Sequence, residues 1–357
     1  PFIAFHSWVI VSRYMPMRAA ELISPRSFQL VEMPVEDPAP GEVQVRVESV
    51  GVCGSDLHAW SEGAVGGTPN LYPMILGHEP AGVIVKTGAG VTGLAPGDRG
   101  ALEPALYCYH CEFCLSGHHN VCSNIRFLSN PGIPGFFREF VNLPARNFLP
   151  IPASMSCDAA ALAEPLAVAM HSLHLASLRA GETVAVIGAG PIGLLTIAAL
   201  RAANTGRIWA IEPLPHRREL ACQIGAHAAL DPAEASEEIF KASARRGVDC
   251  AFDCAAGSDT TSQAIQLARN SGRVVLTGIP CTPVISMDVS SMRRKELTIF
   301  NVRRSNHETG EALDLLKMHA DWFAPVLTHT RPIDRIAEAF TIAGEYRDGI
   351  GKMTVRP

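Results

Sequence analysis

The sequence predicts an α/β protein in two parts, a doubly wound parallel sheet and a β-rich body whose loops carry the chemistry. Two observations predict the first part. An apolar, β-branched run from Val184 to Ile187 leads into Gly188, Gly190 and Gly193, then a helical apolar pattern, then a second apolar run ending on Glu212. From about residue 167 to 301, apolar strands alternate with helices, the pattern of a parallel sheet covered on both faces. The second part follows from the stretch between Met17 and about Pro152. Runs such as Val43 to Val50 alternate apolar and polar residues there, as half-buried strands do, and glycine and proline break them often.

The 357 residues give room for two domains and an ample core. With 47% apolar and 18% charged residues, the composition is that of a soluble globular enzyme. A net charge of −5, without a run of lysines and arginines, gives no reason to expect nucleic acid as a partner. No window reads as both long and apolar enough to cross a bilayer, so no membrane is expected. Ten cysteines are too few for a disulfide scaffold at this length, and several cluster at metal spacing. A reducing, cytoplasmic compartment is expected. Residues 1–16 are apolar but too short to span, and lack the basic start and cleavage site of a secretory signal. They are expected to be an artefact of gene-start assignment or a poorly packed arm.

In chain order, the first chemical residues are Cys53, in GVCGSDLH, and His78 and Glu79, in GHE. A thiolate, an imidazole and a carboxylate are donor types that zinc takes at a catalytic site, and Glu164, in ALAEPLAV, is a fourth candidate. The alternative is a buried cysteine, a satisfied histidine and two surface acids. Next come Cys108, Cys111, Cys114 and Cys122 in one polar loop. Four thiolates so close in sequence can close a tetrahedron around zinc with no open position, which makes a structural site. An iron–sulfur cluster also uses four cysteines. The compact spacing, with no proline after the last cysteine, fits zinc better. His110, His118 and His119 lie within this lobe and are expected to face solvent.

The Thr183 to Glu212 stretch reads as strand, glycine turn, helix, strand, the arrangement that binds a dinucleotide. Gly188 permits the tight turn, Gly190 lets backbone approach the pyrophosphate, and Gly193 lets the helix pack close to the strand. Pro191 and Ile192 open the helix, whose N-terminal N–H groups attract phosphate. Glu212 stands where an acid accepts the ribose hydroxyls and repels a 2′-phosphate, which favours NAD over NADP. Arg217 and Arg218 nearby weaken that preference, because an arginine accommodates the phosphate. Downstream, a strand is expected at 227–231, a helix near 233–246, a strand at 248–257, a helix near 260–268 and a strand at 273–278. Small residues at 255–257 and Gly278 leave room for the ribose and nicotinamide. Met292 to Glu296 reads as a solvated loop or subunit edge. Helices are expected near 309–318 and 333–346, then a final strand in GKMTVRP.

Taken together, CGSDLH (53–58), GHE (77–79), the four-cysteine lobe, AEP (163–165) and GAGPIG (188–193) give the chain a resemblance to the zinc-containing medium-chain dehydrogenases. It looks most like the branch that acts on sorbitol, other polyols and threonine. The likeness runs from about Met17, where a familiar kind of opening begins, to Lys352. It implies a GroES-like catalytic domain from 17–166 and 302–357, with the zinc lobe near 103–126, and a Rossmann domain from 167–301. It implies an active-site zinc between the two, held by Cys53, His78 and Glu79. Glu164 matches a residue that binds the metal in some members and holds its water in others. Ser55 and His58 match a proton relay, and Arg303 aligns with an arginine that contacts polyols. Lys352 matches a lysine to which no role is assigned. The family also implies a homodimer or homotetramer.

There are departures. Mammalian-type sorbitol dehydrogenases lack the four-cysteine lobe, and the polyol enzymes often carry an aromatic residue after the relay histidine, where this chain has Ala59 and then Trp60. The expected reaction is oxidation of a secondary alcohol to a ketone, with hydride passing to NAD. Alternatives are an amino-alcohol or hydroxy-acid substrate, and a catalytically silent nucleotide-binding relative. A silent relative would need none of Cys53, Ser55, His58, His78 or Glu79.

Overall fold

The computed structural model describes residues 16–65, 67–280, 282 and 284–357. The expectation for residues 1–16 therefore lies, except for Pro16, outside the described residues. In chain order, the elements that frame the site begin with strand β1 (Glu42–Gly51), helix α1 (Gly54–Glu62), strand β2 (Glu79–Thr87) and helix α2 (Ala163–Ala176). Strand β3 (Val184–Ile187), helix α3 (Pro191–Ala202), and strands β4 (Ile208–Ile211) and β5 (Ala228–Leu230) follow. Strands β6 (Val248–Asp253), β7 (Ala268–Leu276), β8 (Thr298–Asn301) and β9 (Lys352–Arg356) complete the set.

Strands β3 to β8 form one six-stranded sheet in the order β5-β4-β3-β6-β7-β8, with every neighbouring pair parallel. The apolar runs predict this, since all residues of β3, β4 and β6 are buried. The strand order reverses between β3 and β6. Ligands bind outside the carboxyl ends of the strands at such a point. A second, seven-stranded sheet has β1 near its centre, paired antiparallel with β2, β9 and the strand Phe140–Pro144. The C-terminal strand thus completes a sheet begun 300 residues earlier.

Helix α2 links the two sheets. Its Leu166, Ala167 and Met170 belong to one core that runs from Ala81 and Ala101 on one side to Val184 and Phe252 on the other. The alternating faces of β1 and the aromatic rings of Phe136, Phe137 and Phe340 build a separate core under the antiparallel sheet.

Four expectations are corrected. Met292 to Glu296 is not a loop: residues Val289–Lys295 form a helix. Lys295 Nζ donates to the carbonyls of Ile265, Gln266 and Ala268, at the end of the preceding helix, where a cation offsets the exposed carbonyl charge. The helix expected at 233–246 spans Pro232–Ala242, because the chain turns at Ala244 and Arg245 with positive φ. The helix expected from residue 333 starts at Ile336, after a single 3₁₀ turn. Among the described residues one stretch, Cys157–Ala176, is long and apolar enough to cross a membrane, at mean hydropathy 1.2. Within the fold 72% of it is buried, because it is the core helix between the sheets.

Candidate active site

A cleft of about 1270 Å³ opens between the two sheets and reaches the carboxyl ends of β3 and β6. Cys53, Ser55, His58, His78, Glu79, Glu164 and Arg303 line one part, and Gly188, Gly190, Pro191, Ile192, Glu212 and Arg217 line the other. The sequence-derived residues of the cleft, some 250 residues apart at their extremes, therefore meet in one cavity.

Local sequence explains how each donor is aimed. Cys53 is the N-cap of α1, and Asp56, three residues on, accepts a hydrogen bond from its backbone N–H at 3.1 Å. Asp56 is buried and does more: it accepts from Gly77 N at 3.1 Å and meets His78 Nδ1 at 3.3 Å. Burial opposes its charge, but His78 and the two backbone donors outweigh burial and hold its carboxyl below the ordinary range. With Nδ1 turned to a carboxylate, the imidazole presents Nε2 to the cleft, where Ser55 Oγ lies 3.4 Å away. Burial also opposes a charged His78, yet Asp56 and Cys53 hold its pKa well above the usual 6.5.

The Cys53, His78 and Glu79 donor atoms lie within 4.8 Å of one another. Glu79 is fully buried, and its Oε1 has no hydrogen-bond partner. A buried carboxylate oxygen left in that state is costly, and a cation between the three donors would satisfy it. The donor set therefore fits zinc, with a position left open. Glu164 lines the same cleft but falls outside this triplet. Its half-buried position pushes its pKa up to about 8.

Sequence reasoning missed what holds Glu79. Lys352, on β9, is fully buried, pairs with Glu79 Oε2, and donates to Val52 O at 3.0 Å. Burial disfavours its charge, but Glu79 and then Cys53 keep it above the ordinary lysine range. Gly51 makes room, since a Cβ there would stand 2.0 Å from Glu79 Oε2. A buried lysine in the last strand, facing two candidate acids, was the available signal.

The four-cysteine lobe is separate. Sulfur–sulfur distances are 3.4 Å for Cys108–Cys122 and 3.9 Å for both Cys108–Cys114 and Cys111–Cys122. A tetrahedral zinc with bonds of about 2.3 Å needs edges of about 3.8 Å, whereas a disulfide needs about 2.05 Å. The lobe fits a closed zinc site. His110 and His118 are exposed, as expected, but His119 is not. It packs against Tyr107, Tyr109 and His307, 4.4 Å from the last, because the lobe docks on the 305–309 segment. Asn306 fastens that contact, accepting from His119 N at 2.9 Å and donating to Gly117 O at 2.8 Å.

On the nucleotide side, Gly190 caps α3 and Pro191 is its first residue. A Cβ on Gly190 would meet only Arg217 Nη1, at 3.7 Å, so its backbone is bare to the cleft. A Cβ on Gly193 would stand 1.8 Å from Gly188 O, which is why the helix packs so near the strand. Glu212 is buried and held by Ala189 N at 2.8 Å and Leu214 N at 3.0 Å. This cradle fits a dinucleotide. Arg217 lies over the Tyr346 ring, 4.5 Å from its centre. Arg218 is committed to the carbonyls of Glu212 and Pro213 and to Asp231. Ala59 is buried at the cleft wall, and Trp60 turns away from it onto Phe340, so no aromatic side chain from this turn enters the cleft.

Comparison with known proteins bears on this geometry. Residues 39–153 match the family model described as the alcohol dehydrogenase GroES-like domain, and residues 191–318 match that of zinc-binding dehydrogenase. The chain is 32% identical over 343 residues to a sorbitol dehydrogenase from Bacillus subtilis (strain 168), covering 96% of this chain and 97% of that one. It is 33% identical over 326 residues to an L-arabinitol 4-dehydrogenase from Aureobasidium melanogenum, covering 89% and 88%. The crystal structure of L-idonate 5-dehydrogenase from Escherichia coli str. K-12 substr. MG1655 superposes with a TM-score of 0.90 at 25% identity, covering 96% and 99%.

Proposed function

The chain belongs to the zinc-containing medium-chain alcohol dehydrogenases, in their sorbitol-dehydrogenase-like branch, and from that premise we propose that it oxidises a secondary alcohol of a polyol to a ketone with NAD. The observation that carries this reading is the meeting of Cys53, His78 and Glu79 with the Gly188–Pro191 turn in one cleft. In this proposal residues 17–166 and 302–357 form the catalytic domain and 167–301 the nucleotide domain.

Zinc held by Cys53, His78 and Glu79, with Glu164 beside them, would supply Lewis-acid polarisation of the substrate hydroxyl. NAD on the Gly188–Gly193 turn would receive the hydride. The protein's own groups do the rest. Asp56 fixes the tautomer and direction of His78. Ser55 receives the hydroxyl proton, and His58 releases it to solvent at the outer end of α1, where its Nδ1 meets Glu62 at 2.8 Å. Arg303 binds a second substrate oxygen. The buried Glu212 accepts the ribose hydroxyls and opposes a 2′-phosphate. Arg218 is already engaged and does not offset that opposition, which supports NAD over NADP, whereas Arg217, in the cleft beside Gly190, still weakens the preference.

A second reading is an amino-alcohol, hydroxy-acid or sugar-acid substrate. Arg303 in the cleft and the similarity to L-idonate 5-dehydrogenase favour the acids. The protein is read as a homodimer or homotetramer, supported by β8, an edge strand of the parallel sheet that needs covering. The free cysteines among the described residues support a cytoplasmic setting.

The test is NADH formation by zinc-loaded protein with sorbitol, xylitol, galactitol, butanediol, sugar acids and threonine, each with NAD and NADP. Turnover of a polyol with NAD, and little with NADP, is expected. Silence with every alcohol, from protein shown to hold its metal and cofactor, would overturn the reading.

A further inference from the structure

Resting on the reading of this cleft as an alcohol dehydrogenase site, the geometry points to a substrate that carries an oxyanion, and to Arg304 as the residue that binds it. The expected class is a polyol that also bears a carboxylate or a phosphate ester, taken in preference to an uncharged one.

Arg304 follows β8 by three residues and lines the cleft beside Arg303. Its backbone sits at φ +54°, a left-handed conformation that a residue with a Cβ adopts only when its surroundings impose it. The turn aims the side chain inward. The guanidinium lies over the Phe127 ring, 4.0 Å from its centre, and the same ring packs against His78 at 5.5 Å. Arg304 is thus one aromatic ring away from the candidate metal site, a distance that suits the far end of a small substrate.

Its hydrogen bonding is incomplete. Nη1 is buried and has no hydrogen-bond partner. Guanidinium does not deprotonate in proteins, so this donor cannot be silenced by losing a proton. A buried, charged and unpaired N–H is costly, and costs least when an anion supplies the acceptor. Nearby acids do not fill that place. Glu103 is taken by Thr309 Oγ1 at 2.7 Å and Ala105 N at 3.3 Å, and Glu164, whose charge favours the guanidinium, makes no hydrogen bond with it. Burial, and after it the neighbouring charge of Arg303, pulls the Arg304 pKa down to about 10, which still leaves it charged. Two guanidinium groups on adjacent residues repel one another. A carboxylate or phosphate between them reverses that and takes charge-assisted bonds from both.

The position of this pair is fixed from behind. Asn120, in the four-cysteine lobe, donates to Arg303 O at 3.0 Å, and Asn306 anchors the same segment to the lobe backbone. A neutral polyol offers hydroxyl acceptors, but adds no charge to that which Glu164 and Glu103 already set against the guanidinium groups.

The experiment uses three matched compounds: sorbitol, gluconate and sorbitol 6-phosphate. Zinc-loaded enzyme is assayed with NAD, and binding to the enzyme–NADH complex, which cannot oxidise them, is followed by calorimetry. One or both anions should bind about ten- to a hundredfold more tightly than sorbitol. The two anions tell a carboxylate site from a phosphate site. In Arg304→Gln the KM and Kd of the preferred anion should rise by about the same factor, and by much more than those of sorbitol. Arg304→Lys, which keeps the charge but not the fork, should fall between. Turnover of sorbitol at least as efficient as that of both anions would overturn the proposal while leaving the dehydrogenase reading intact. So would an unchanged Kd for the anion in Arg304→Gln. No turnover with any alcohol is the separate result that sinks the dehydrogenase reading.

Discussion

The two candidate metal sites teach by contrast. The lobe takes its four donors from fifteen consecutive positions, Cys108 to Cys122, and all four are thiols spaced close to tetrahedral edges. The cleft takes one donor from a helix N-cap, one from the residue before a strand and one from that strand's first residue, and its counter-charge from the last strand of the chain. A closed, uniform shell can hold a metal but offers no place for substrate. A mixed shell with an orphaned carboxylate oxygen and a neighbouring cavity can do chemistry, and depends on distant chain for its geometry.

The sharpest way to break that contrast is to mutate one thiol in each region. Cys53→Ser should lower kcat by roughly a hundred- to a thousandfold, while NADH binding, followed by fluorescence, stays close to wild type. Cys111→Ser should act on stability instead, lowering Tm by roughly 5–10 °C with loss of the lobe's metal. If Cys53→Ser turns over normally, or Cys111→Ser melts like wild type, the division of roles between the regions is wrong.

A smaller effect is expected from Asp56→Asn. The imidazole would lose its charged orienting partner, and metal affinity, measured by chelator competition, should fall about ten- to a hundredfold. Unchanged affinity would mean that His78 is aimed by packing alone. The smallest effect probes the bridge between the two regions. Asn120→Ala removes the hydrogen bond to Arg303 O, so KM should rise about two- to tenfold with kcat nearly constant. A loss confined to kcat would show that the lobe does not support the two arginines of the cleft.

Much of this protein was legible before folding. The glycine turn, the apolar strands around it and the four-cysteine spacing are local signals, read over windows shorter than 35 residues. The parallel sheet, the cap at Gly190 and the tetrahedral sulfur spacing all follow from them. Reading charge as exposure worked less well. The run at 292–296 is helical, with Lys295 closing another helix, and His119 packs into an aromatic cluster.

What the sequence by itself determined, then, is the fold class, the family and the candidate residues for metal and nucleotide, because each depends on periodicity or spacing along the chain. The tertiary structure decided which groups complete them. Lys352 reaches Glu79 only because β9 pairs with β1, Asp56 reaches His78 only because the fold brings α1 to the 77–78 turn, and Arg304 faces the cleft only through a left-handed turn after the last parallel strand. Buried charges must find partners wherever the fold places them. Those pairings are set by strand order and packing, which no local window contains.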